Sequence, residues 1–218
     1  MITQCTLPPI RREEILRYAG AKSETPELSA LLNATLEETE GIFSSAVCWQ
    51  EFPLTCQDGK LDLTFAETGS QSLSRRLEGC CRVVVFAATV GLSLDRLIFR
   101  YGKTAPARAL LLQAIGAERI EALCDAFQEE LRKAATSEGL SITGRFSPGY
   151  GDLPLELQQD IFRVLDCPRQ IGLTLNDSLL MSPSKSVTAI IGIGNNCREA
   201  TTGCVQCSKT DCIHRRML

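Results

Sequence analysis

The chain has 218 residues, of which 44% are hydrophobic and 22% are charged, and its formal net charge at pH 7 is -3. This composition is typical of a globular protein with one sizeable domain, or a domain with a small appendage. The slightly negative charge provides no global attraction to nucleic acid or to an anionic membrane, so we expect neither as a partner. The first residues lack the basic and apolar regions of a signal peptide, and no apolar run is long enough to cross a bilayer. These absences favour a cytoplasmic protein.

Hydrophobic periodicity predicts alternating groups of helices and strands along the chain. We expect helices at 11–19, 25–40, 70–79, 92–101, 105–137 and 154–165. We expect strands at 46–52, 54–56, 61–65, 82–89, 142–146, 170–175 and 186–193. Thr25 and Ser70 are suitable N-cap residues, and Asp58-Gly59 is a hairpin signal between two alternating segments. Because the elements show no regular βαβ alternation, the predicted fold class is α+β.

The most informative stretch is Arg145-Phe146-Ser147-Pro148-Gly149-Tyr150. Pro148 and Gly149 favour a turn, and Gly149 permits a close approach of the backbone to a ligand. A guanidinium four residues before this Gly-Tyr pair can offer a planar pair of donors to a carboxylate or a phosphate. From the residues alone, this segment is either an anion-binding turn or a surface turn with a solvated arginine.

The sequence around this turn resembles the activation domain of cobalamin-dependent methionine synthase. The resemblance is strongest from about residue 116 to 193 and includes the Arg-x-x-Pro-Gly-Tyr motif, Ile171-Gly172-Leu173-Thr174-Leu175 and the segment 180–187. It implies a single α+β domain over residues 1–194, with a mainly antiparallel twisted sheet flanked by helices. It also implies that the chain binds S-adenosylmethionine, which supplies a methyl group to an oxidised corrinoid.

The resemblance also implies which residues form the site, because they occupy positions that match the family's motifs. Arg145, Pro148, Gly149 and Tyr150 are expected to bind S-adenosylmethionine, with Arg145 on the carboxylate and the Tyr150 ring lining the pocket. Glu121, on the preceding helix, is expected to face the cationic end of the ligand. The family also uses an acidic residue from its N-terminal part, for which Asp62 and Asp95 are the two candidates. No catalytic side chain is expected, because the corrinoid carries the difficult chemistry.

The partner implied by the resemblance is a separate protein. The chain is too short to include the homocysteine, folate and cobalamin modules, and it lacks the Asp-x-His-x-x-Gly motif of corrinoid-binding loops. We therefore expect a detached subunit or accessory of a cobalamin-dependent methyltransferase, acting on a cobalamin-binding protein or a truncated methionine synthase. Flavodoxin or ferredoxin is the expected electron donor.

Eleven cysteines divide into two groups. Seven are scattered among apolar residues, as expected for small buried hydrophobes in a reducing cytosol. The other four, Cys197, Cys204, Cys207 and Cys212, lie in a tail at 195–218 and have the spacing of a metal site. Zinc and an iron–sulfur cluster both suit this spacing, His214 is an alternative ligand, and a tail without a stable metal is the third interpretation. The alternative hypothesis is that the chain is a non-catalytic metal-binding or redox-sensing protein with a vestigial ligand pocket. A weaker hypothesis is that it is a scaffold subunit of a corrinoid complex.

Overall fold

A computed structural model describes residues 1–3, 7–57, 60–195 and 197 of the chain. The helices in these ranges are α1 (Arg12–Tyr18), α2 (Pro26–Glu38), α3 (Gln71–Arg76), α4 (Ser93–Tyr101), α5 (Pro106–Ser137), α6 (Leu157–Leu165) and α7 (Cys167–Ile171). The strands are β1 (Ile2–Thr3), β2 (Ala46–Pro53), β3 (Thr55–Gln57), β4 (Lys60–Asp62), β5 (Glu67–Thr68), β6 (Arg82–Thr89), β7 (Ser141–Ile142), β8 (Thr174–Leu175), β9 (Met181–Ser182) and β10 (Ser186–Gly194). Within the described ranges, no helix combines the length and the apolar character needed to span a membrane.

The main sheet is antiparallel and has the strand order β1-β2-β6-β10-β7. Its central strand β6 pairs along its whole length with β2 on one side and β10 on the other. Two smaller sheets, β3-β4-β5 and β8-β9, lie outside it. The order is not the order of the chain, because β10 enters between two strands that precede it.

Both faces of β6 are buried, which explains its nearly continuous apolar sequence. Alternate residues point to opposite faces of a strand. Val84 and Phe86 accordingly pack with Phe127 of α5, whereas Val83 and Val85 pack with Ile161 of α6. The sheet is therefore covered by α5 on one face and by α6 and α7 on the other. On its outer side, α5 carries α1 and α2, with Ile15, Leu32 and Ile115 in a third apolar cluster.

Most predicted elements are present, with one clear error at 170–175. Residues 167–171 form helix α7, and only Thr174–Leu175 is a strand. Pro168 lies in the first turn of α7, and Gly172 ends it in the left-handed conformation, with φ +65°. Proline early in a helix and glycine after it are standard helix-boundary signals. These local signals outweighed the β-branched and leucine residues that suggested a strand.

Other boundaries also differ from the prediction: the expected strand 61–65 is β4 (Lys60–Asp62), and the expected helix 154–165 begins at Leu157. The helix capped by Ser70 ends at Arg76 rather than at Gly79, and the expected strand 142–146 consists of β7 and an isolated bridge between Phe146 and Ile190. The interruption of that strand has functional consequences, described below. Mixed helices and antiparallel strands confirm the predicted α+β class. The division at residue 194 stays a prediction, although the last strand of the sheet ends at Gly194.

Candidate functional site

A β-bulge positions Arg145. Ile142 pairs with Ile193 and Phe146 bridges Ile190, so the three residues between them on one strand (143–145) lie opposite two on β10 (191–192). Between these pairs, the Thr143 N–H donates to the Gly192 carbonyl (2.9 Å), and the Gly192 N–H donates to the Thr143 hydroxyl (2.9 Å). The Thr143 hydroxyl thus accepts the Gly192 hydrogen bond that a backbone carbonyl would accept in a regular antiparallel sheet. Such an extra residue redirects neighbouring side chains, and here it turns Arg145 towards α5.

Two carboxylates on α5 hold the Arg145 guanidinium. Its Nη2 atom lies 3.0 Å from Glu121 Oε2 and 2.9 Å from Asp125 Oδ1. Glu121 and Asp125 are one helical turn apart, so they project from the same face of α5. The predicted pair of Arg145 and Glu121 therefore does lie together, and Asp125 is an additional member of the site.

The other terminal nitrogen of Arg145 lacks a partner. Nη1 is buried and has no hydrogen-bond acceptor among the described residues. A buried donor without an acceptor is costly, and the penalty is larger for charged groups. Burial by itself lowers the pKa of Arg145, but Cys124, Asp125 and Glu121 act in the opposite sense and raise it overall. The site therefore presents a charged guanidinium whose Nη1 has no acceptor in the part of the chain that the structure describes.

A second arginine completes the charge cluster. Arg11 precedes α1, and its Nη2 atom lies 3.6 Å from Asp125 Oδ2. Its backbone N–H and its Nε both donate to Glu118, a fully buried carboxylate on α5. Glu118 also accepts two bonds from the Arg119 guanidinium, which in turn donates to the carbonyls of Pro8 and Pro9. These bonds connect the N-terminal segment to the face of α5 that carries Asp125.

The Pro-Gly-Tyr turn is fixed to another part of the fold by Asp152. Its carboxylate accepts bonds from the Ser70 hydroxyl (2.6 Å) and from the N–H groups of Gln71 (2.8 Å) and Ser72 (3.0 Å). The Ser70 hydroxyl bond comes first among the interactions that hold the pKa of Asp152 well below its usual range, and these N–H bonds add to it. Asp152 therefore caps α3 and not α6, the next long helix in the chain.

The turn residues differ in exposure. Pro148 is buried, whereas Gly149 has φ +87° and lies at the surface. The Tyr150 ring is 63% exposed and meets Phe146 edge-on, with centroids 6.4 Å apart. The N–H groups of Gly149 and Tyr150 donate to the carbonyls of Leu153 and Ser147 inside the turn. These two donors are thus used within the turn, so Arg145 carries the anion-binding capacity.

The two candidates for the N-terminal acidic ligand make bonds elsewhere. Asp62 accepts from the Thr64 N–H at 2.7 Å within its own loop. Asp95, on α4, accepts from the Ser184 N–H (2.7 Å) and hydroxyl (2.6 Å). Neither carboxylate joins the Arg145 cluster in the described structure.

Of the four tail cysteines, only Cys197 lies within the described residues. Its Sγ atom is 2.9 Å from Sγ of Cys80, in the segment before β6. Cys204, Cys207, Cys212 and His214 fall outside the described residues, so the metal site stays a prediction. In the ranges that the structure covers, no three cysteine, histidine or acidic side chains are grouped to hold a metal ion.

Comparison with known families shows which family the chain belongs to. The sequence model described as "Vitamin B12 dependent methionine synthase, activation domain" matches residues 81–216, which is more than half of the chain. The chain belongs to this family. The match contains Glu121, Asp125, Arg145 and the Pro-Gly-Tyr turn, and it extends through most of the cysteine tail.

A solved structure supports the fold assignment for this activation-domain protein. It is described as the MetH reactivation domain bound to AdoHcy, and it is 17% identical in sequence with a TM-score of 0.59. The alignment covers 85% of this chain and 70% of the other. A search of curated proteins finds no match.

The sequence analysis missed three members of the site. Asp125 lies four residues after Glu121, so helical spacing could have identified it. The partners of Asp152, at 70–72, are distant in sequence, so no local pattern indicates its role. Arg11 had no local signal, because its contact with Asp125 depends on how α1 packs against α5.

Proposed function

We propose that this chain binds S-adenosylmethionine and supports reductive methylation of the cobalamin on a separate methionine synthase or other corrinoid methyltransferase. The observation that carries the proposal is Arg145 Nη1, buried and without an acceptor among the described residues. An incoming carboxylate would supply the missing acceptor with a charge-assisted bond. Membership of the activation-domain family supports this choice of ligand.

The charges around Arg145 suit the two ends of an amino acid. Arg145 would bind the ligand carboxylate, and Glu121 and Asp125 would accept from its ammonium group. The carboxylates already compensate the guanidinium, so a zwitterionic group adds little net charge to the half-buried cluster. AdoHcy, which the similar solved structure contains, has the same carboxylate and ammonium groups.

The contribution of the protein is binding and orientation. S-Adenosylmethionine supplies the methyl group, and the cobalamin of the partner is the substrate that receives it. Arg145 and Glu121 would fix the amino acid end of the ligand, while Tyr150 lies exposed at the turn, where its ring can contact the ligand or the partner. Proximity of the two reactants then provides the rate enhancement, and no general base is needed.

We further propose the setting of this reaction. The partner is a cobalamin-binding protein or truncated methionine synthase in the cytoplasm, with flavodoxin or ferredoxin as electron donor. Cys204, Cys207 and Cys212, with either Cys197 or His214 as the fourth ligand, would hold an iron–sulfur cluster or zinc, which metal and sulfide analysis of anaerobically purified protein can distinguish.

Isothermal titration calorimetry with S-adenosylmethionine tests the ligand proposal. Arg145→Ala should weaken binding by roughly 10- to 100-fold, since a bond to a charged group contributes about 1.5–3 kcal/mol. Arg163→Ala is the matched control, because Arg163 is exposed and pairs only with Asp160 three residues earlier. If wild-type protein binds no S-adenosylmethionine, or if Arg145→Ala binds it as tightly as wild type, the pocket is vestigial and a metal-binding or redox-sensing role replaces this proposal.

A further inference from the structure

We propose that Cys80 and Cys197 form a reversible disulfide when the protein meets a low-molecular-weight disulfide such as oxidised glutathione. Their sulfur atoms lie 2.9 Å apart, although the residues are separated by 117 positions in the chain. Bonded sulfurs are about 2.05 Å apart, so bond formation requires the two sulfur atoms to approach by about 0.9 Å. This modification site is independent of the S-adenosylmethionine site and lies on the segments that flank β6 and β10.

Two glycines of β10 allow this approach. A Cβ atom at Gly192 would lie 2.6 Å from Cys80 Sγ, and one at Gly194 would lie 2.2 Å from the carbonyl oxygen of Gly79. Any side chain at these positions would therefore displace the segment that carries Cys80. Because both glycines lack a side chain, residues 79–80 rest directly against the strand that leads to Cys197.

A groove gives reagents access to Cys80. It has a volume of about 400 Å³, and Cys80 lines it together with Leu54, Leu77 and Gly79. Cys197 is only 7% exposed and is not among the described residues that line this groove. A small disulfide can therefore enter the groove and meet Cys80 first, while Cys197 is positioned to react with the product.

The chemistry balances in two thiol–disulfide exchanges. Burial raises the pKa of Cys80, so the exchange is slow and proceeds through the small thiolate fraction of Cys80. This thiolate attacks one sulfur of the small disulfide, which forms a mixed disulfide on Cys80 and releases one small thiol. The Cys197 thiolate then attacks Cys80 Sγ, forms the Cys80–Cys197 bond and releases the second small thiol. The two protein thiols lose two electrons and two protons, which the small disulfide gains.

The core offers a second cysteine pair that serves as an internal control. Cys48 and Cys167 have sulfurs 3.9 Å apart, and both residues are at least 99% buried. Burial at this level leaves their sulfur atoms closed to a reagent in the folded protein. Their thiols should remain reduced under conditions that oxidise Cys80 and Cys197.

Peptide mapping of the full chain tests the proposal directly. Trypsin releases residues 77–82, which contain Cys80 and Cys81, and residues 186–198, which contain Cys197 alone. We would incubate the protein with oxidised or reduced glutathione, alkylate the free thiols and digest. The Cys81→Ser variant makes the assignment unambiguous, because it leaves Cys80 as the only thiol of its peptide.

The expected result is a linked 77–82/186–198 species in oxidised Cys81→Ser protein that dithiothreitol removes, with Cys48 and Cys167 alkylated only after unfolding. The cross-link closes a long loop, so the Tm of oxidised protein should rise by roughly 5–10 °C, and Cys80→Ser should abolish this rise. Free alkylation of both Cys80 and Cys197 after oxidation would overturn the proposal. Protection of Cys197 that a chelator removes and a reductant does not would also overturn it, in favour of metal ligation.

Discussion

Replacing Glu118 with glutamine should destabilise the protein strongly. Its carboxylate is fully buried and accepts four hydrogen bonds, two from Arg11 and two from Arg119. Arg119 is itself only 3% exposed. Removing one partner of a buried ion pair costs about 3–5 kcal/mol, because the remaining charge is left uncompensated. For a chain of this size, that loss corresponds to a Tm decrease of roughly 6–20 °C.

Urea unfolding of wild type and Glu118→Gln, followed by circular dichroism, measures this loss. Glu129→Gln is the matched control on the same helix, because Glu129 pairs with Arg132 at the surface, where such a pair contributes about 0–1 kcal/mol. A Glu118→Gln variant within 1 kcal/mol of wild type would refute the reasoning. Glu118→Gln should also weaken S-adenosylmethionine binding, since Glu118 holds the Arg11 that contacts Asp125.

Three other predictions concern the site and its support. Asp125→Asn should weaken S-adenosylmethionine binding by roughly 3- to 10-fold in calorimetry, because Arg145 loses one of its two anchors; unchanged affinity would contradict this role. Asp152→Asn should lower the Tm at pH 7. Because the folded pKa of Asp152 lies well below its unfolded value, the stabilisation is complete above the unfolded pKa and is lost as pH falls towards the folded pKa, so the Tm difference should be largest at pH 7 and shrink steadily as pH is lowered from about 4 towards 2. Gly116→Ala should lower the free energy of unfolding in urea by about 1–3 kcal/mol, because a Cβ at this position would lie 2.4 Å from Leu94 Cδ2. This loss should occur although alanine has the better helix propensity, and a gain in stability would refute the prediction.

Elements that form through contacts between residues close together in the chain were predicted from local sequence signals. The Thr25 side chain does accept from the Leu28 N–H, and the Ser70 hydroxyl accepts from the Leu73 N–H. The continuous apolar sequence of 82–89 correctly predicted a strand buried on both faces. Arg145 and Glu121 were identified through the family resemblance, and the structure does bring them together.

Features that depend on contacts between residues far apart in the chain could not be predicted from local sequence signals. The bulge before Arg145 depends on the Thr143 hydroxyl bonding to Gly192, 49 positions later. The contact between Cys80 and Cys197 depends on two glycines whose only visible property in sequence is a small size. Helix α7 is a different case, because its proline and glycine boundaries were visible and β propensity was weighted too heavily.

The position of β10 in the sheet has a consequence for folding. β6 and β7 are both synthesised before β10, yet β10 lies between them. Until residues 186–194 leave the ribosome, one edge of β6 has no partner. The unpaired backbone groups of this apolar strand then offer a template for pairing with other chains. The bulge that orients Arg145 also cannot form before Gly192 and Ile190 are available. Assembly of the ligand site is therefore one of the last events in folding, and a chain interrupted before β10 should aggregate rather than retain partial binding.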